Sequence, residues 1–387
     1  DEYIKAIKKV KKINFPAPFY KLINLKANGF EIGDYYLVEY LNKPFFELNK
    51  LTFDTDVYLK EKFAALEVDS WKKISSDPRI DKKDFDILEK LIKSIKANDN
   101  LEQSINIENF VDFYNFIYQT GNENLEYILY FDNTQGKFLF IPYRYTLYSN
   151  KNFSLKDPLI KAAFDYLKEK ELIKFENNLF VVNQEKLENI VFPRQYRLGI
   201  LAQNREDDVI LLKKNTHCQI KENIIIPSNL KLVIEDGVEI KIDKSKSILT
   251  YGELVARGKE DSQIIITSLA EKPFGVFALL GEKASGSSLE YVAIKNGSET
   301  YLNNLYLSGM FSAHHLDKIK IDDCSFQSSQ SDDGVNIKYS KVNIQNSAFT
   351  NNSADAIDGD FITGEIKNNK FLNNGNDSID MSGSKVV

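Results

Sequence analysis

Apolar positions in the first half of the chain follow two different periods. Spacing of three to four residues predicts helices, and it occurs at 85–97, 107–118 and 157–172. Alternation predicts paired strands, and it occurs at 19–25 with 33–40 and at 127–131 with 137–143. An Asn28-Gly29 turn between the first pair favours a hairpin. Residues 1–195 are therefore predicted to form an α+β domain of mixed helices and strands.

The pattern changes after about residue 215. Helical spacing disappears, and short β-rich runs alternate with turns rich in Gly, Asn, Asp and Ser. Strands at this density indicate a sandwich, a barrel or a solenoid. Segments 332–337, 354–359 and 376–381 align with one another at intervals of 22 residues. A repeat of this length decides for a solenoid, because it is the length of one β-helix coil.

Stacked coils place like residues above one another. The repeat predicts three ladders, two in the core and one at a turn: Val335-Ile357-Ile379, Phe326-Phe349-Phe371 and Asp323-Asn346-Asn368. We therefore expect an all-β right-handed parallel β-helix over 215–387, joined to the first domain by a connector at 196–214. The handedness follows from the general preference of parallel crossovers. Because both ends fall within patterned segments, we also expect a fragment whose β-helix is truncated at the C-terminus.

Charge and cysteine content limit the classes of function. The formal net charge of −6 argues against a nucleic-acid partner and suits cations or neutral substrates. Cys218 and Cys324 lack any metal-binding spacing, and we expect both to be small buried residues. No run of 18 apolar residues predicts a membrane span.

Strand alternation sorts the Asp-rich coils into inward and outward positions. The inward set is predicted to be Val335, Ile337, Tyr339, Ile357 and Phe361. The outward set forms two columns, Asn336-Asp358-Asp380 and Lys338-Asp360-Ser382. A third set, Asp333, Asp355 and Asp377, stacks at the turn before the strand.

Stacked carboxylates require some form of relief. At a strand spacing of about 4.8 Å, two of them repel by about 1 kcal/mol in water and by more at a lower dielectric. Cation bridging, protonation or nearby lysines could provide it. One hypothesis is a Ca²⁺ site formed by Asp333, Asp355, Asp358, Asp377 and Asp380. The alternative is that Asp and Asn simply fill turns and ladders.

Two histidines lie close to this face in the predicted register. At an offset of 23, His315 falls above Lys338; at an offset of 22, His314 falls above Asn336. In either register one histidine caps an outward column and the other points inward. An imidazole beside carboxylates is a plausible proton carrier at neutral pH, although a polar surface histidine is the alternative.

These residues suggest a carbohydrate-active surface. We predict His314, His315, Asp358 and Asp380 as catalytic residues and Asn336, Lys338, Asp360 and Tyr339 as substrate-binding residues. The favoured activity is that of a lyase or C5-epimerase on an acidic polysaccharide, with Ca²⁺ as the possible cofactor. A non-catalytic binding or structural module is the rival, so enzymatic activity stays open at this point.

Two family resemblances accompany these patterns. Residues 216–268, with Leu232-Val233-Ile234-Glu235-Asp236-Gly237 and Gly252-Glu253-Leu254, resemble the opening coils of bacterial right-handed β-helix proteins. Residues 1–150 resemble the distal lobe of the spore-coat CotH kinase family, on segments 16–18, 28–39, 110–118 and 136–142. The resemblance implies a bacterial protein of the cell envelope or the exterior.

The chain departs from the kinase pattern at the positions that carry its chemistry. The family's nucleotide-binding lobe would precede Asp1, and Tyr143-Arg144-Tyr145 stands where the family has a metal-binding Asp. Near the expected catalytic Asp the chain has only Asn122, Glu123, Asn124 and Glu126. Phosphoryl transfer needs held cations and a positioning group. We therefore expect a degenerate domain that supports the β-helix; a kinase whose other lobe lies upstream is the second rival.

Overall fold

The structure, a computed structural model, forms two compact units, residues 1–192 and 193–387. It describes residues 16, 20–28, 30–38, 41–60, 66–75, 81, 83–121, 126–144, 156–189 and 197–387.

The first unit combines helices with small antiparallel sheets. Its strands are β1 (Tyr20–Ala27), β2 (Phe30–Val38), β3 (Val57–Lys60), β4 (Trp71–Lys73), β5 (Glu126–Asp132), β6 (Lys137–Arg144), β7 (Ile173–Glu176) and β8 (Leu179–Val182). Its helices are α1 (Lys43–Leu48), α2 (Asp86–Ala97), α3 (Leu101–Ser104), α4 (Ile107–Thr120), α5 (Pro158–Glu169) and α6 (Gln184–Asn189), with a 3-10 turn at Val68–Ser70. Both predicted hairpins and all three predicted helices are present.

Helices α2 and α4 pack against a four-stranded sheet of order β4-β3-β5-β6. One face of α2, formed by Leu88, Leu91, Ile92 and Ile95, is buried, as its apolar spacing predicts. Helix α4 begins at Asn106, whose Oδ1 accepts the backbone N–H of Asn109, and ends at Gly121 in the left-handed conformation. Aromatic side chains fill the space between helix and sheet, with ring centroids of Phe113 and Phe140 5.4 Å apart.

The second unit is a parallel β-solenoid of about eight turns. The first sheet contains β9 (Arg205–Glu206), β10 (Val209–Leu212), β13 (Lys231–Ile234), β16 (Leu254–Arg257), β19 (Ser287–Glu290), β24 (Ile319–Asp322), β27 (Lys341–Gln345), β30 (Thr363–Lys367) and β33 (Lys385–Val386). The second contains β11 (His217–Ile220), β14 (Glu239–Ile242), β17 (Ile264–Ser268), β20 (Val292–Lys295), β25 (Ser325–Gln327), β28 (Ala348–Thr350) and β31 (Lys370–Leu372). The third contains β12 (Ile224–Ile226), β15 (Ile248–Thr250), β18 (Phe277–Leu280), β23 (Gly309–His314), β26 (Asp333–Lys338), β29 (Asp355–Asp360) and β32 (Ile379–Ser382).

Three further elements complete the second unit. Strands β21 (Thr300–Leu302) and β22 (Leu305–Leu307) form an antiparallel hairpin outside the coils. Two 3-10 turns, Gly199–Asn204 and Glu282–Ala284, precede the first coil and follow β18.

The predicted ladders are confirmed by the strand registers. Val335 pairs with Ile357, which pairs with Ile379. The rings of Phe326, Phe349 and Phe371 stack with centroids 5.2 and 5.1 Å apart. Repetition therefore builds the core, because each inward side chain covers the same position of the coil before it.

Turn residues form a second type of ladder. Asp323, Asn346 and Asn368 all adopt positive φ at equivalent turns, which asparagine and aspartate tolerate better than most residues. Buried Asn352 accepts the backbone N–H of Ser329 with Oδ1 and donates from Nδ2 to Asn374 Oδ1 at 2.9 Å. The Asn-rich composition of these coils thus satisfies buried backbone groups.

The solenoid begins before the expected residue. Strand β10 lies inside the segment expected to be a connector, 196–214, and pairs in parallel with β13 from Val209 to Leu212. Its inward residues Ile210 and Leu212 are buried in the solenoid core. The first coil has no preceding repeat with which to align, so its strand is harder to recognise in sequence.

Both cysteines are free and buried, as predicted. Burial raises the pKa of the Cys324 thiol to about 12, which makes it a packing residue at neutral pH. Among the helices in the described part of the chain, none has the length and apolar content needed to cross a membrane.

Candidate functional site

The outer face of the third sheet carries the residues predicted to be functional. The strand register places Asn336, Asp358 and Asp380 in one column and Lys338, Asp360 and Ser382 in the next. Each column runs along the solenoid axis with one residue per coil. These placements follow the two outward columns expected from alternation.

The same face is apolar in the earlier coils. There Ile225, Leu249, Val276, Ala278 and Leu280 form a cluster that Leu305 and Leu307 of the β21–β22 hairpin cover. The hairpin lies in an insertion, because Phe277 pairs with Phe311 34 residues later, whereas Val335 pairs with Ile357 after 22. The unusual coil length was a signal in the sequence that alternation alone did not use.

Burial decreases along the polar part of this face. Asn336 and His314 are 0% exposed and Lys338 is 3% exposed, whereas Asp358 and Asp360 are half-buried and Asp380 is exposed. The expectation that the whole column faces solvent is therefore wrong for its first members. A large ligand can reach Asp358, Asp360 and Asp380 directly, but not His314 or Asn336.

A row of hydrogen bonds joins the buried and the accessible residues. His314 Nε2 lies 2.7 Å from Asn336 Oδ1, and Asn336 Nδ2 donates to Asp358 Oδ2 at 2.6 Å. Since Asn336 Oδ1 is an acceptor, His314 Nε2 carries the proton in this bond. The amide therefore connects an imidazole N–H to a carboxylate two coils away.

Lysine and amide groups relieve part of the predicted repulsion. Lys338 Nζ lies 3.0 Å from Asp360 Oδ2. Burial raises the pKa of Asp358 well above its ordinary value, and the nearby charges of Asp333 and Asp360 add to the effect. The carboxyl of Asp358 can therefore hold a proton near neutral pH, which is a property of general acids.

The Asp residues at the start of these strands are also paired in register. Asp333 lies beside Asp355, and its Oδ2 accepts a hydrogen bond from Ser308 Oγ at 2.6 Å. Burial raises the pKa of Asp333 to about 7. Burial also raises the pKa of Asp355, although the backbone N–H of Asp377 donates to it. Ser308 was missed in sequence because it belongs to the irregular insertion.

These carboxylates do not fit a calcium ion in the observed arrangement. The oxygens of Asp333, Asp355, Asp358 and Asp360 already accept hydrogen bonds or an ion pair from Ser308, Asn376, Asn336 and Lys338. Within the described ranges, no three His, Cys, Asp or Glu side chains are grouped so that they could hold a metal ion. Calcium dependence stays a prediction.

The histidines occupy other positions than either predicted register. His314 pairs with Lys338, an offset of 24, and the backbone N–H of His315 donates to Lys338 O. This coil is two residues longer than the repeat from which the register was taken. Neither histidine points into the core: His314 lies on the covered outer face, and His315 lies in the turn after the strand.

Tyr339 and Phe361 are likewise not inward residues. They occupy the same turn position as His315, and all three have positive φ, which interrupts strand alternation. Their rings stack, with centroids 4.8 Å apart for His315 and Tyr339 and 5.1 Å apart for Tyr339 and Phe361. Both faces of Tyr339 are therefore covered, so it offers a ligand only its edge and hydroxyl.

The first unit contains a separate buried ionic cluster. Lys60 Nζ lies 2.6 Å from Asp157 Oδ2, and the hydroxyl of Tyr127 donates to Asp157 Oδ1 at 3.2 Å. Asp157 also caps α5 by accepting the N–H groups of Leu159 and Ile160. Every oxygen of this carboxylate is thus used to join β3, β5 and α5.

The positions singled out by the kinase pattern are only partly described. Asn122, Glu123 and Asn124 lie outside the described residues, as does Tyr145, while Glu126 and Tyr143 belong to strands β5 and β6.

Comparison with known proteins covers the first unit. No curated protein matched the chain. Residues 7–152 match the family model described as CotH kinase protein. The chain thus combines a CotH kinase-like domain with a parallel β-solenoid.

Proposed function

We propose that the solenoid is a carbohydrate-active module that transfers protons on an acidic polysaccharide, as a lyase or a C5-epimerase. The observation that carries the proposal is the hydrogen-bonded row His314-Asn336-Asp358. It ends on a half-buried carboxyl whose pKa is raised, next to the exposed carboxylate of Asp380 in the following coil. A protonated acid and a carboxylate about 4.8 Å apart are a suitable pair for acid–base chemistry.

The chemistry assigns different roles to these groups. Asp380 would remove the C5 proton of a uronic acid residue, and the electron pair left behind would form the C4–C5 double bond as the C4–O bond breaks. Asp358 would donate its proton to the leaving oxygen. In an epimerase, the C5 carbanion would instead receive a proton from the opposite face. His314, which is buried, acts through Asn336 and is a positioning residue rather than a catalytic one.

The test is an assay of several acidic polysaccharides with and without Ca²⁺. Ultraviolet absorbance detects unsaturated products, and proton NMR in D₂O detects exchange at C5. We expect Asp358→Asn to lower turnover about a hundredfold or more, because general acid catalysis contributes factors of that order. Asp317→Asn, a change at an exposed aspartate in another turn, is the matched control and should keep full activity.

His314→Gln tests the positioning role separately. It should shift the pH profile of turnover, because removing the imidazole changes the environment that sets the protonation of Asp358. Absence of turnover on every polysaccharide, with Ca²⁺ and without, would remove the enzymatic proposal.

The burial of His314, Asn336 and Lys338 favours a second candidate, a non-catalytic glycan-binding module. In that case the accessible residues Asp358, Asp360 and Asp380 contact the ligand without any reaction. Asp358→Asn would then weaken glycan binding while no product appears with either protein.

The family match over residues 7–152 favours a third candidate, phosphoryl transfer. The chain lacks an Asp after Ile141-Pro142, where the resemblance places a metal ligand, and we therefore expect no Mg²⁺-dependent nucleotide binding by this chain. Isothermal calorimetry with Mg²⁺-ATP measures it directly. Micromolar binding would contradict the expectation and favour a kinase.

A further inference from the structure

A groove of about 1050 Å³ lies beside the first coils of the solenoid, away from the Asp-rich face. One wall is the 3-10 turn Gly199–Asn204, and the other is formed by β11 and the start of β14. Buried Cys218, Ile220 and Ile224 lie beneath it. The volume is at the upper end of the range usual for small-molecule sites.

Several polar side chains in the groove have no internal use. Gln203, Asn204, Gln219 and Lys221 line it, and none of them has a side-chain hydrogen bond or ion pair within the described part of the chain. Amide groups can donate and accept, which matches the hydroxyl groups of a sugar. The side chain of Ile200, 40% exposed, adds an apolar surface on the same wall.

The charges of the groove are not balanced. Glu222 is paired with Arg197 at 3.3 Å, and Glu239 is paired with His217 at 3.0 Å and Lys241 at 3.2 Å. The hydrogen bond from His217, opposed by partial burial and supported by Lys241, lowers the pKa of Glu239, so this carboxylate is ionised at neutral pH. Lys221 is left as a cation with no anionic partner among the described residues. The groove therefore favours a ligand with a negative charge.

We infer that this groove binds an acidic saccharide. A carboxylate of the sugar pairs with Lys221, ring hydroxyls bond to Gln203, Asn204 and Gln219, and the apolar face of a ring lies against Ile200. This inference extends the proposed function, since it places a binding subsite for the same class of polymer on the second sheet and the 3-10 turn, whereas the proposed reaction uses the third sheet.

The experiment is calorimetric titration of the whole chain with an α-1,4-linked galacturonate tetramer. We expect binding that weakens at least fivefold in Lys221→Gln and in Gln219→Ala, and that weakens as salt is raised, because part of it is ionic. Both residues are exposed, so neither change should disturb folding, which circular dichroism checks.

Two controls separate the groove from other surfaces. Lys295→Gln removes a cation in the same outward row of the second sheet, two coils further on, and should leave the affinity unchanged. Asp358→Asn should also leave it unchanged, so the failure of the proposed reaction and the failure of the groove are distinguishable. Unchanged affinity in both groove variants, no binding of the tetramer, or equal binding of a neutral maltotetraose would overturn the inference.

Discussion

Phe349→Ala is expected to lower the free energy of unfolding of the solenoid by about 3–5 kcal/mol. The Phe349 side chain is fully buried and stacks on Phe326 and Phe371 in the coils on either side. Truncation removes both stacking contacts and leaves a cavity that neighbouring coils cannot fill without losing their strand register. Urea unfolding followed by circular dichroism in the β-sheet region measures the loss.

Two comparisons make this result specific. Thr350→Ala changes the next residue of the same strand, which points outward, and should cost less than about 1 kcal/mol. The single tryptophan, Trp71, belongs to the first unit, so its fluorescence reports unfolding there. A fluorescence transition that moves while the circular dichroism transition stays in place would contradict the assignment of Phe349 to the solenoid core.

The stability of the solenoid is expected to fall as pH rises from about 4 to above 7, and Asp333→Asn should remove much of this dependence. The pKa of Asp333 is raised by burial from 3.8 to about 7, with the charges of Asp332 and Asp355 adding to it while Ser308 and Lys338 oppose it. The folded state therefore holds the proton more tightly than the unfolded state. Its contribution is complete below pH 4 and is lost as pH rises through 7.

The size of this effect has an upper bound. A change in pKa from 3.8 to about 7 corresponds to roughly 4 kcal/mol at most, because each tenfold change in proton affinity is worth about 1.4 kcal/mol. Asparagine can still accept the hydrogen bond from Ser308 without becoming charged. Urea unfolding of the wild type and of Asp333→Asn at pH 5 and pH 8 measures the difference, and the variant should be the more stable protein at pH 8.

Asp322→Asn is the matched control, because its dependence has the opposite sign. Burial opposes ionisation of Asp322, but hydrogen bonds from Gln345, Lys320 and Asn346 outweigh it and lower its pKa. Its contribution is therefore present above pH 4 and lost below it, outside the window of Asp333. Equal pH dependence of the wild type and Asp333→Asn between pH 5 and pH 8 would show that Asp333 is not the group responsible.

The sequence by itself determined the solenoid and the pairing of its later coils. Repetition at 22 residues requires that Phe326, Phe349 and Phe371 meet, because stacked coils of equal length leave no other partner for a large inward side chain. The same argument placed Asn336 beside Asp358 and Asp380. Helical spacing likewise predicted α2, α4 and α5, because a continuous apolar stripe must be buried.

Only the tertiary structure decided which polar residues are accessible and which histidine joins them. The insertion between Phe277 and Phe311 carries a hairpin that covers the apolar end of the face, and no local pattern states where such a hairpin folds. A coil two residues longer than the repeat moved His314 onto Lys338, and positive φ at His315, Tyr339 and Phe361 turned those rings out of the core. Sequence periodicity predicts contacts only where coils are equal in length. Where they differ, the register depends on how the extra residues pack, which is a property of the folded chain.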